Sequence, residues 1–176
     1  LNGNNGGIAM SRAFVNEERF EQAGDDIVER PISEHPNYVT PTGALELQTL
    51  EESLLAQLDT LKNSTEDTFA KDKIAEIERD LRYVRARLDS AILVDPKTQS
   101  HETVLFGATV EVKDDEGNQH IFHIVGEDEA DANINKVSWV SPLAKSLIGQ
   151  KVGDTVIWQR PAGNMTLEIL DIHYES

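Results

Sequence analysis

The stretch IAEIERDLRYVRARLDSA, residues 74–91, decides the architecture. Its apolar positions Ile74, Ile77, Leu81, Val84, Leu88 and Ala91 are separated by alternating steps of three and four. That spacing lays one narrow apolar seam along a helix, the pattern of a coiled coil. Glu78, Arg79, Arg82 and Arg87 are expected on flanking or outer positions. Upstream, Leu47, Leu50, Leu54, Leu58 and Leu61 recur at three to four residues. Thr40 is a natural N-cap there, and Pro41 fits the first helical position, where its missing N–H costs nothing. Between the seams, Asn63 to Asp67 is polar, and Ser64 with Asp67 three residues on forms a capping pattern for a new helix. Two stripes joined by so short a link fold back as an antiparallel hairpin, expected over 40–94. Such a hairpin buries one seam and calls for a second domain to carry it.

Asp95-Pro96 breaks the second helix, and 95–102 reads as a polar linker. From Thr103 the period falls to two. Ala108 to Val112 alternates, turns through Asp114–Asn118, and returns as His120 to Val125, which predicts a β-hairpin. Val137–Val140 is expected as a short strand. Ser141-Pro142 opens one brief helix, Leu143–Ile148, ended by Gly149, and Thr155–Gln159 pairs with Met165–His173. The fold class is therefore α+β: an N-terminal coiled-coil hairpin, then a β-rich domain over 103–176. Residues 10–39 are polar and interrupted by Pro31 and Pro36, and read as an extended acidic arm. Residues 1–9 lack the basic start and apolar core of a signal peptide and read as a cloning scar or upstream extension.

Composition removes several functions. With 16 basic against 32 acidic residues, the formal charge of −16 opposes binding by phosphate neutralisation, so no direct high-affinity contact with nucleic acid is expected. The absence of cysteine excludes disulfides, thiolate zinc sites and cysteine nucleophiles, and is consistent with a cytoplasmic location. No apolar run reaches the roughly 20 residues needed to span a bilayer. Gly-rich phosphate loops, nucleophile elbows and zincin motifs are lacking in the sequence. His120 and His123 lie three apart on an expected strand, so they leave opposite faces and do not suit one metal ion. The acidic run Glu127-Asp128-Glu129-Ala130-Asp131 lacks the glycine and closing glutamate of a calcium loop and reads as a solvated loop. No catalytic set emerges and no cofactor is expected; the chain reads as a non-enzyme. Glu66 and Asp67, at the hairpin tip, are the candidate metal-binding acids, with helix capping as their plainer use.

Val104-Leu105-Phe106-Gly107-Ala108-Thr109-Val110, Gly126 to Asp131, and Ser141-Pro142-Leu143-Ala144-Lys145-Ser146-Leu147-Ile148-Gly149-Gln150 together resemble the bacterial Gre family of transcription elongation factors. The resemblance covers 40–175, strongly after Thr103. It implies an FK506-binding-protein-like C-terminal domain that docks on bacterial RNA polymerase beside its secondary channel, through Ser141, Pro142, Leu143 and Ala144. It also implies an arm that enters the channel, where tip acids help bind a Mg²⁺ that cleaves backtracked RNA. Here the family's G-D-L-x-E-N-A-E-Y-like tip is missing. Each helix also reads as about nine residues short, roughly 13 Å of reach at 1.5 Å per residue. The expectation is a polymerase-binding regulator of the short-arm kind, without strong cleavage stimulation. The alternatives are a cleavage coactivator using Glu66 and Asp67, and, from the fold name alone, a prolyl isomerase. The aromatics Phe106, Phe122, Trp139 and Trp158 are expected in the core rather than around a proline pocket.

Overall fold

The computed structural model describes residues 27–64 and 68–175. These fall into two units: residues 27–32 with Gln48–Arg87, and Ser33–Leu47 with residues 88–175.

The first unit holds most of two helices, α1 (Pro41–Lys62) and α2 (Thr68–Ser90). Leu54 on α1 and Ile77, Leu81 and Val84 on α2 are buried, which is the expected seam. Arg85 Nε reaches Glu51 Oε2 at 3.1 Å, an ion pair between the two helices. Two expectations need correction. Leu50 remains 42% exposed, so the α1 stripe is narrower than its leucines suggest. Arg87, expected on a flanking or outer position, is only 1% exposed. It follows Val84 by three residues and so continues the buried stripe, its guanidinium buried along with its stem and not without partners. Residues 29 and 30 lie along α2: Arg82 Nε donates to both Glu29 carboxylate oxygens at 3.0 Å, and Arg30 reaches Asp80 at 3.4 Å. The Arg30 guanidinium also stands 3.8 Å above the centre of the Tyr83 ring.

In the second unit, β1 (Tyr38–Val39) pairs in parallel with β2 (Ile92–Leu93). The sequence placed residues 92–93 in the second helix, but α2 ends at Ser90. Ile92 N–H donates to Asn37 O and Val94 N–H to Val39 O, so these backbones are satisfied by a strand rather than by another helical turn. The five-stranded sheet has the order β5-β4-β3-β7-β6. Its members are β3 (Ala108–Asp114), β4 (Gln119–Val125), β5 (Lys136–Ser138), β6 (Thr155–Trp158) and β7 (Met165–Tyr174). Only β4 and β5 run parallel. One helix, α3 (Pro142–Leu147), contributes Leu143, Ala144 and Leu147 to the core formed with Val110, Val112, Ile124, Leu167 and Ile169.

The tight Asp114–Asn118 turn is closed by Gly117 at φ 88°, and the Asp114 carboxylate accepts from the N–H groups of Glu116 and Asn118 at 3.0 and 2.8 Å. On β7 the inward positions change phase, from Leu167 and Ile169 to Ile172 and Tyr174. A register shift opposite Glu111/Val112 accounts for this: a β-bulge adds one residue to β7 and turns Asp171 and His173 to the outer face.

Candidate functional site

Residues 126–131 and 141–150 carry the sequence's two most specific motifs, and the structure gives several of their residues mechanical roles. Gly126 is packed against the backbone of Tyr38, and a Cβ there would stand 2.4 Å from Tyr38 O, so only glycine fits. Glu129 corrects the expectation of a solvated loop: it is only 7% exposed. Its Oε1 accepts from the Thr40 hydroxyl, whose oxygen in turn accepts from Gly43 N–H at 2.9 Å in the first turn of α1. Its Oε2 accepts from Lys136 Nζ at 3.1 Å. A buried carboxylate is tolerated here because it is paired with a cation and faces the positive end of a helix. Asp131 caps the short 3₁₀ turn Ala132–Ile134 through Asn133 N–H at 3.0 Å.

The four expected docking residues separate into two groups. Leu143 and Ala144 are buried in the core. Ser141 is the N-cap of α3, its hydroxyl oxygen accepting from Ala144 N–H at 3.2 Å. Pro142, at the first helical position, is exposed, and so is Lys145 one turn on. The surface that this segment offers is therefore Pro142 and Lys145, with the partly exposed Ser141 beside them. Glu66 and Asp67 lie outside the described residues. At the described end of the hairpin, Phe69 is 85% exposed and, with Leu61, Ala70 and Lys73, lines an open cleft.

The two strand histidines act separately, as their spacing predicts. His120 Nε2 lies 2.9 Å from Asp114 Oδ2, and this contact, ahead of the turn's two backbone N–H donors, holds the Asp114 carboxyl below its ordinary range despite burial. His123 Nδ1 lies 2.8 Å from the Thr109 hydroxyl, and burial pushes its pKa down. The aromatic residues pack on one another: Phe122 meets Trp158 edge to face at 5.7 Å, and Tyr38 contacts both Phe106 and Trp139. Phe122 lies in the core and Trp139 and Trp158 pack partly buried against it, whereas Phe106 is half-buried and stands outside that cluster, so the expectation of four core aromatics holds fully for Phe122 alone. No helix among the described residues is long and apolar enough to cross a membrane.

The motif residues Gly126, Glu129, Asp131 and Ser141 thus act as staples and caps. The family model described as "Transcription elongation factor, GreA/GreB, C-term" matches residues 99–174. Over 107 residues the chain is 41% identical to transcription elongation factor GreB of Neisseria meningitidis serogroup B, covering 60% of this chain and 66% of that protein. It is 39% identical over 117 residues to transcription elongation factor GreA of Francisella philomiragia, covering 65% of this chain and 73% of the relative. The chain belongs to the GreA/GreB family of transcription elongation factors, and its C-terminal domain is of the FK506-binding-protein-like kind found in that family. It spans just under two thirds of the Neisseria protein's length. The crystal structure of GreA factor homolog 1 (Gfh1) of Thermus thermophilus is 24% identical and superposes with a TM-score of 0.39, covering 79% of this chain and 99% of that one.

Proposed function

We propose that this protein is a regulator that binds bacterial RNA polymerase at the secondary channel. Its β-domain docks beside the channel and its hairpin occupies the entrance. The observation that carries this reading is the division of labour in 141–145. Leu143 and Ala144 anchor α3 in the core, which leaves Pro142 and Lys145 on a rigid, exposed helix start. Membership of the GreA/GreB family supplies the class of partner. The helices of 22 and 23 residues are each about 33–35 Å long at 1.5 Å per residue. On the reach argument this arm stops short of the polymerase's metal, and a carboxylate beyond about 2–2.5 Å adds nothing to a cation's inner shell. The protein then obstructs the channel without strongly stimulating cleavage.

Two measurements test this. In a pull-down against core polymerase, Pro142→Asp should weaken binding while leaving the melting temperature close to wild type; equal affinity would move the interface elsewhere. Added in excess to a backtracked elongation complex with Mg²⁺, the wild type should release no more 3′ RNA fragment than polymerase alone, yet compete with a full-length Gre factor. Robust cleavage that disappears when Glu66 and Asp67 are both changed to Asn would instead establish a coactivator.

A further inference from the structure

The outer face of the sheet, opposite the core, carries a cluster that the docking reading does not use. Asp171 and His173 are two apart on β7 and so share a face. Glu111 on β3 is in register directly opposite Asp171. One ligand atom from each of Glu111, Asp171 and His173 can be chosen so that all lie within 4.8 Å of one another.

We propose that Glu111, Asp171 and His173 form a binding site for a divalent cation of the zinc class, bridging β3 and β7. Three features support it. The His173 Nδ1 to Asp171 Oδ2 separation is 3.3 Å. Two ligand atoms each about 2.1 Å from a tetrahedral zinc ion stand roughly 3.4 Å apart, so this pair already has the spacing of one edge of a coordination tetrahedron. The charges point the same way. Two carboxylates directly opposed on neighbouring strands repel, and among the described residues no lysine or arginine forms an ion pair with either, the one recorded partner being His173 itself on Asp171. Finally, the donor set is mixed. An imidazole nitrogen beside two carboxylate oxygens favours zinc, cobalt or nickel over magnesium or calcium, which prefer oxygen alone. The side chains of His173 and Asp171 are 46% and 56% exposed, so a cation reaches them from solvent and water completes its shell. Placement depends on the bulge in β7: without the extra residue, Asp171 and His173 would fall on the core side.

The test uses the full chain after treatment with a chelator. Zn²⁺ is titrated in competition with a chromophoric chelator, and Co²⁺ is followed by its visible d–d bands. One equivalent is expected to bind, with a cobalt spectrum of nitrogen–oxygen coordination. Glu111→Gln and His173→Gln should each weaken binding at least tenfold, because each removes one of only three protein ligands. Their metal-free melting curves should match wild type, and the melting-temperature rise that Zn²⁺ gives the wild type should vanish in both. His120→Gln, at the other histidine–carboxylate pair, should bind as wild type does. Failure of the wild type to take up one equivalent, uptake unaffected by Glu111→Gln and His173→Gln, or uptake lost in His120→Gln would each overturn the site. None of these readouts involves polymerase, so the site and the docking reading stand or fall separately.

Discussion

Gly43→Ala sets two physical effects against each other, and the structure decides which wins. Gly43 lies in the first turn of α1, and by helix propensity alone alanine stabilises by at most about 1 kcal/mol. The added Cβ, however, would stand 2.7 Å from Glu129 Oε1. That is about 0.7 Å inside the 3.4 Å of ordinary contact. The carboxylate can retreat only by lengthening its bonds to the Thr40 hydroxyl and Lys136 Nζ. A hydrogen bond to a charged group contributes about 1.5–3 kcal/mol, so losing most of one outweighs the propensity gain. The net expectation is a destabilisation of about 0.5–2 kcal/mol. Urea unfolding followed by the fluorescence of Trp139 and Trp158, both in the same unit as Gly43, reads this directly. The same substitution made on a Glu129→Ala background meets no carboxylate and should be neutral or stabilising. The coupling in that double-mutant cycle should be about 1.5–3 kcal/mol. A stabilising effect of equal size on both backgrounds would refute the staple and return the acidic run to the solvent.

Leu81→Asp places a charge at the centre of the buried seam, where Leu81 is 3% exposed. Loss of the leucine alone costs about 2–5 kcal/mol, and the unpaired carboxylate adds to it. Far-ultraviolet circular dichroism should show lost helix while the tryptophan signal of the β-domain persists; an unchanged helical signal would count against the seam. The Asp114–His120 pair should appear in acid. Because the folded Asp114 pKa lies below its unfolded value, its stabilisation is present above about pH 4 and is lost as pH falls through the folded pKa. Asp114→Asn should therefore flatten the stability profile below about pH 4, and an unaltered acid limb would remove the pair's contribution.

Sequence by itself determined whatever repeats with a local period or depends on one residue's backbone chemistry. The three-and-four spacing from Ile74 to Leu88 located the hairpin seam, and the two-residue period from Ala108 located the first strands, because side-chain direction follows the backbone repeat. Thr40-Pro41 and Ser141-Pro142 marked helix starts for the same local reason. The motifs after Val125 point to the family without any geometry, and the match over residues 99–174 agrees. What tertiary structure decided lies in contacts between residues far apart in the chain. Ile92 and Leu93 continue an apolar helical run in the sequence, and become a strand only because Tyr38 and Val39 are beside them to pair. Glu129 belongs to an acidic run that reads as solvated, and is buried because Thr40, 89 residues earlier, and Lys136 both bond it. Glu111 and Asp171 are 60 residues apart in the chain, and Glu111 meets the Asp171/His173 pair only through strand register and one bulge. A local period cannot encode such meetings, because each depends on which distant segment folding has delivered to that face.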